Sequence, residues 1–303
     1  MVKQALRFTV LMCLAVLSHG EGGPLFVVGS TSASPLIEAS EKAFGQFIRE
    51  DDIVSSSIVI RPAGSQKGLT SIIDQIADIG IMSRFLSRAE LDQYPFLKQV
   101  TIAQDALVFL VNKKNNVSNL TSNQIKDIYT GSITRWGVIS KNNQNQFVNP
   151  IQPLSKGLEH GTFYAFHSLF QLDYMVYPET KKLYLKRYGE NYLFNRLPTQ
   201  TYERFNQAMG IVNREPESIA YESNAVMQQY KNHLGFEKVK VLNINGVAVS
   251  EKTVRNQTYP WVRPLNLIVN TSAKNKKVDQ FVEFMLTDEG QKIIQQQGYI
   301  PIN

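Results

Sequence analysis

The chain has almost none of the residues that build covalent or metal-centred chemistry. Among 303 residues there are one cysteine, four histidines and two tryptophans. The cysteine, Cys13, lies inside an N-terminal apolar run, so neither a disulfide framework nor a thiolate metal site is expected. His160 and His167 stand seven residues apart with no third ligand in sight, and no His-Glu-x-x-His occurs, which argues against zinc. No Gly-x-Ser-x-Gly elbow is present to raise a nucleophilic serine. Neither an enzyme nor a cofactor-dependent protein is therefore expected. Long apolar runs are missing too, and none approaches the ~18 residues that a bilayer-spanning helix needs. Charge of one sign is never concentrated. The 32 Lys+Arg against 26 Asp+Glu give +6, spread in pairs such as Lys113-Lys114, Lys181-Lys182 and Lys276-Lys277. That pattern describes a mildly basic solvated surface and gives no nucleic-acid groove, since no basic stripe interleaves with aromatics.

What remains is a soluble composition, 43% hydrophobic and 19% charged. A length near 300 exceeds what one hydrophobic core fills, so two lobes are expected. Lys3 and Arg7 precede the apolar run Phe8 to Leu17, which ends in the short residues Ser18-His19-Gly20. A basic start, a short apolar stretch and small residues describe a secretory signal peptide over 1–20, cleaved near Gly20. The residues before Cys13, Val10-Leu11-Met12, lack the small residue of a lipoprotein signal. Loss of Lys3 and Arg7 takes the formal charge from +6 to +4 and leaves a cysteine-free periplasmic or secreted protein.

Beyond the leader, short apolar runs alternate with helical periodicities. Leu25 to Val28 reads as a strand, followed by a helix with Leu36, Ile37, Phe44 and Phe47 on one face. Ser57 to Ile60 and Ala77 to Ile81 read as strands, with Leu69, Ile72, Ile73 and Ile76 forming a helix face between them. Such units in series predict an α/β fold with mostly parallel sheets and right-handed crossovers. Val100 to Val111 is too long for an average strand and suits one that crosses between lobes. Val239 to Val249 predicts a hairpin about Asn245-Gly246. The last helix, Val278 to Gln297, is expected to break near Gly290. Tyrosines and phenylalanines crowd Phe163 to Phe194, and packing accounts for them better than a ligand platform.

Small hydroxyl residues recur where strands turn into helices: Ser30-Thr31-Ser32, then Ser65, then His160-Gly161-Thr162. Helix capping accounts for any one of them. Three together, each beside a glycine (Gly29, Gly64, Gly161), favour helix N-termini converging on one anion. In doubly wound sheets these turns lie at the carboxyl ends of the strands, where ligands bind.

The ordered set of motifs resembles the phosphate-binding component of bacterial phosphate ABC transporters, a branch of the type II periplasmic binding proteins. The matching pieces are Val28-Gly29-Ser30-Thr31-Ser32, Gly64-Ser65-Gln-Lys-Gly68, Ala77-Asp78-Ile-Gly-Ile-Met-Ser83-Arg84, Ile128-Tyr-Thr-Gly131 to Trp136, Tyr259-Pro-Trp-Val-Arg263-Pro264-Leu265 and Asp288-Glu-Gly290 to Pro301. The resemblance implies two α/β lobes joined by two crossings, with lobe I over 21–105 and 260–303 and lobe II over 106–259. It implies inorganic phosphate, or a similar oxyanion, held by Ser30, Thr31, Ser32, Gly64 and Ser65, by Ser83 and Arg84 after the third strand, and by Lys156, His160, Gly161 and Thr162 in lobe II. A monomer that docks on a membrane ABC permease is also implied. Three positions depart from the pattern. Arg84 stands where many members carry a carboxylate that accepts the proton of hydrogen phosphate, and arginine only donates. Lys156 replaces a forked arginine, and His160 a serine, which opens a pH-dependent contact. Sulfate, or a surface adhesin or sensor role on the same scaffold, are the alternatives.

Overall fold

The computed structural model describes residues 23–48, 57–139, 149–180, 182–190, 198–273 and 275–303. The expected signal peptide with Cys13, and Tyr192 and Phe194 of the aromatic stretch, lie outside the described residues.

The first lobe opens with three strand-to-helix units: β1 (Leu25–Gly29) and α1 (Ser34–Phe47), β2 (Ile58–Pro62) and α2 (Ser65–Ile73), β3 (Ile79–Met82) and α3 (Arg88–Gln93). β1 lies between β2 and β3 and is parallel to both. Leu25, Val27, Ile79 and Ile81 are fully buried, as expected of strands covered by helices on both faces. α1 buries Leu36, Ile37, Ser40 and Phe44, a stripe at helical spacing, and carries Pro35 in its first turn, where the missing N–H costs nothing. Phe44 meets Phe281 edge-on at 5.0 Å.

The chain leaves through β4 (Leu97–Asn112) and builds the second lobe. Its elements are β5 (Asn119–Leu120), α4 (Ser122–Tyr129), β6 (Gln152–Lys156), α5 (Gly161–Leu169), β7 (Leu172–Val176) and β8 (Leu183–Arg187). Then come β9 (Gln200–Tyr202), α6 (Phe205–Arg214), β10 (Ser218–Ser223), α7 (Asn224–Gln229), β11 (Val239–Val241), β12 (Asn243–Ile244) and α8 (Glu251–Arg255). The return is through β13 (Val262–Asn270), α9 (Lys276–Leu286), α10 (Asp288–Gln296) and β14 (Ile300–Pro301).

One continuous ladder runs β2-β1-β3-β13-β4-β10-β6-β9, with β11 and β14 also on β4. β4 belongs to both lobes. Its residues Leu97 to Ala106 pair with β13, and Leu107 to Val111 continue the ladder into β10, Leu107 opposite Ser223 and Val111 opposite Ile219. Pairing is parallel in the outer strands of each lobe and antiparallel where β13 and β4 pass between lobes. The apolar residues separate accordingly. One group gathers Leu25, Ile37, Phe44, Ile81, Phe281 and Phe284. The other gathers Phe109, Tyr129, Phe163, Phe166, Phe170 and Tyr221, with Phe166 stacked on Tyr221 at 4.1 Å. Core packing thus accounts for Phe163, Phe166 and Phe170, whereas Tyr174, Tyr177 and Tyr188 are exposed.

Three local expectations are corrected. Asn245 and Gly246 adopt the positive φ of a tight turn, 52° and 82°, yet no hairpin extends from it. β11 is taken up antiparallel by the end of β4 and β12 parallel by β5, leaving one bridge between Ile244 and Val247. The last helix breaks at Thr287, whose carboxyl-side neighbours start α10 under its own cap to the Gly290 amide; Gly290 lies within α10. Ile76 falls beyond α2 and is exposed.

His167 on α5 packs against Phe163 and Tyr174. Burial pushes its imidazole pKa below the usual 6.5, and the backbone bond to Leu172 opposes this only in part. The unfolded chain therefore binds a proton more readily than the folded one as pH falls through 6.5, so this residue's contribution is lost on the acid side. Thermal melts from pH 7 to 5 should show a steeper loss of Tm for the wild type than for His167→Phe. Identical slopes would remove His167 from the acid response.

Candidate anion-binding site

The backbone fixes the first two turns together. The Ala63 and Gly64 amides both donate to the Gly29 carbonyl at 2.9 Å, and the Ser30 amide donates to the Ile81 carbonyl at 2.9 Å. Four serines consequently cluster. Ser30 Oγ lies 2.7 Å from Ser83 Oγ and 3.1 Å from Ser32 Oγ, while the Ser83 amide donates to Ser65 Oγ at 3.2 Å. All four serines are buried. Tyr299 donates its hydroxyl to the Ser32 carbonyl at 2.6 Å and holds the first turn from below.

The second lobe meets this cluster backbone first. A Cβ at Gly161 would stand 3.2 Å from both Ser30 Oγ and Ser65 Oγ. A Cβ at Gly64, whose φ is +87°, would stand 2.7 Å from the Glu159 carbonyl oxygen. Glycine at these two positions is what lets opposite lobes approach this closely.

Capping does not account for the three turns. α3, α4, α7, α8, α9 and α10 start under side-chain caps from Ser87, Thr121, Ser223, Ser250, Asn275 and Thr287. α1, α2 and α5 start at Ala33, Gly64 and His160 with no side-chain cap bond. The first N–H groups of a helix have no partner within it, and together with the macrodipole they present about half a positive charge. In α2 and α5 that charge faces the serine cluster.

The cations predicted for the anion are engaged elsewhere. Arg84 forks onto Glu90, Nη1 to Oε2 at 2.8 Å and Nη2 to Oε1 at 2.7 Å, and reaches Gln66 at 3.2 Å. Bonding to the Arg84 guanidinium holds the Glu90 carboxyl down at about 2, so the pair stays ionised at neutral pH. Lys156 is buried against Glu222 at 2.7 Å and donates to the Glu203 carbonyl at 3.1 Å. A lone ammonium at that depth requires a counter-charge, and Glu222 supplies it. His160 spans the lobes instead of facing the cluster, with Nδ1 3.2 Å from Thr31 Oγ1 and Nε2 2.7 Å from Glu203 Oε2. Thr162 is buried, its Oγ1 3.4 Å from Arg263 Nη2.

Arg263 is the residue that the motif reading quoted without giving it a role. It is 3% exposed, on β13 directly across from Asp105 on β4. Its Nε and Nη2 donate to Asp105 Oδ2 at 3.0 and 2.7 Å. Nη2 also lies 3.4 Å from Ser32 Oγ, and Nη1 is buried with no protein partner. A charged residue within each of two apolar crossing strands was the available signal, because such charges are retained only when paired or used. Beside Arg263, Ser65, Ser83 and Gly161 a cavity of about 170 Å³ opens between the lobes. Among the described residues no cluster of His, Cys, Asp and Glu could hold a metal.

Asp105→Ala would leave the guanidinium buried without its counter-charge, at a cost of about 3–5 kcal/mol. Urea unfolding should register that loss; a change below about 1 kcal/mol would mean that the pair contributes little. Gly64→Ala should hold the lobes apart, read as a larger radius of gyration by X-ray scattering than the wild type.

The sequence over residues 17–289 matches the family described as the PBP superfamily domain. Phosphate-binding protein PstS of Staphylococcus aureus is 27% identical over 90% of this chain and 76% of that protein. Phosphate-binding protein PstS 2 of Streptococcus agalactiae is 37% identical over a shorter match, 39% of this chain and 38% of that protein. Among solved structures, a phosphate ABC transporter substrate-binding protein of Clostridium perfringens with bound phosphate superposes with a TM-score of 0.71, at 27% identity over 93% of this chain and all of that one. An ABC-type phosphate transport receptor of Vibrio cholerae shares the fold, with a TM-score of 0.71 at 22% identity over 91% of this chain and 99% of that one. With the family match spanning nearly the whole chain and two such lobes flanking one cleft, the protein belongs to the PBP superfamily.

Proposed function

We propose that this chain is an exported solute-binding protein that closes on inorganic phosphate between its lobes and delivers it to a membrane ABC permease. The observation that carries the reading is the meeting of uncapped helix starts from opposite lobes at one buried cluster of serine hydroxyls, with Arg263 Nη1 unpaired beside it. Amides and a guanidinium donate to phosphate oxygens, and hydroxyls both donate and accept. A serine oxygen can therefore accept a hydrogen bond from the P–OH of hydrogen phosphate, which sulfate has no proton to make. The names of the relatives and the bound phosphate of the Clostridium protein support the same ligand. Binding without catalysis accords with them too.

Closure follows from differential contacts. A phosphate touching Ser30, Ser65 and Ser83 on one side and the Gly161 and Thr162 amides on the other favours the closed state by contacts that the open state lacks. His160 closes the seam from Thr31 to Glu203. Export follows from the 1–20 leader, and no described helix is long and apolar enough to cross a membrane.

Titration calorimetry of the chain from residue 21 onward, with phosphate and sulfate at pH 6 and 8, tests this. Phosphate should bind and should survive excess sulfate; no heat with phosphate would overturn the proposal. Thr31→Val and Ser65→Ala should each weaken phosphate binding by about 1–3 kcal/mol, the cost of charge-assisted bonds left unmade.

A further inference from the structure

The cavity beside the serine cluster has two unlike ends. At one stand Ser65, Ser83, the start of α5 at Gly161 and Arg263. At the other the lining is mainly apolar, Phe85, Ala165, Leu169, Val262 and Pro264, with Tyr164 and Ser168 beside them. Gly161, Ala165 and Leu169 lie on one face of α5 at four-residue spacing, so a single helix runs from the polar end to the apolar end. Phe85 is 58% exposed at the mouth, a large ring kept partly in water. An apolar wall offers a bare oxyanion no donor, and an oxygen turned toward it would lose its hydration without replacement. An anion in which one oxygen is exchanged for a carbon group has no such oxygen to satisfy.

We infer that the cleft accepts monosubstituted phosphoryl anions, phosphonates or phosphate monoesters with a short apolar substituent, holding the head at Arg263 and the serines and the substituent against Phe85, Ala165 and Leu169. The inference rests on the proposed reading of the same cluster as an oxyanion site. Arg84 at the rim adds no free charge, because Glu90 engages it. The head is thus recognised by Arg263 and by hydroxyls and amides that do not depend on the substituent.

Calorimetry with methylphosphonate, phenylphosphonate, phenyl phosphate and inorganic phosphate isolates the apolar contribution, since the first two share one head group. Phenylphosphonate should bind at least tenfold more tightly than methylphosphonate. Ala165→Leu, which fills the cavity one turn beyond Gly161, should reduce that ratio to near one and leave the affinity for inorganic phosphate within twofold. Phe85→Ala, at an exposed position, should weaken phenylphosphonate at least threefold in a protein whose folding it does not burden. Phenyl phosphate binding alongside phenylphosphonate extends the class to esters, and binding of one alone restricts it to that linkage. If phosphate binds while phenylphosphonate is no tighter than methylphosphonate, the inference is overturned and the oxyanion site stands. If no phosphoryl compound binds, the oxyanion reading fails and this inference with it.

Discussion

The ion pair of Arg263 and Asp105 holds the two crossing strands in register at the floor of the cleft. Both groups are almost wholly buried, so neither charge is tolerable without the other. Asp105 also accepts from Ser223 Oγ at 2.8 Å and from the Ala225 amide at 3.2 Å, which ties the start of α7 to the same point. Arg263 reaches toward Ser32 of one lobe and Thr162 of the other through Nη2. The hinge and the site are therefore one construction. The carboxylate that fixes the strands also orients the guanidinium of a residue that lines the cavity.

Around that pair, the cations near the cleft are neutralised by the protein itself. Arg84 has Glu90 and Lys156 has Glu222, while the His160 ring is hydrogen-bonded to Glu203. On the proposed reading, attraction for an anion is left to helix-start amides, serine hydroxyls and the remaining nitrogen of the Arg263 guanidinium, whose Nε and Nη2 are bonded to Asp105. Such groups are fixed by the backbone and need no reorganisation when the anion arrives. Direction then matters more than net charge, since a misplaced anion gains nothing from an ammonium already paired. The two glycines at the lobe contact belong to the same arrangement, because a Cβ at Gly161 would press on the Ser30 and Ser65 hydroxyls and one at Gly64 on the Glu159 carbonyl.

The fold was legible wherever a local period decided it. The α1 stripe and the long crossing strand stand where apolar spacing put them. Asn245-Gly246 shows the boundary of that legibility. Its positive-φ turn forms as the residue types demand, but the residues before it pair with β4 and β5, and those after it form only one bridge. Turn chemistry is local, whereas strand partners are chosen by which edges the rest of the chain leaves free.

The same division governs the site. By itself the sequence determined the hydroxyl and glycine turns, because a strand end, a glycine and a small polar residue before an apolar stripe are all near neighbours in the chain. Only the tertiary structure decided which charges face the cleft. Arg84 and Lys156 look like anion ligands until Glu90 and Glu222 are brought against them, and Arg263 looks like one more strand residue until Asp105, 158 positions away, stands opposite it. A residue's type states what it can bond; how far its charge remains available depends on counter-charges that folding alone brings within about 3 Å.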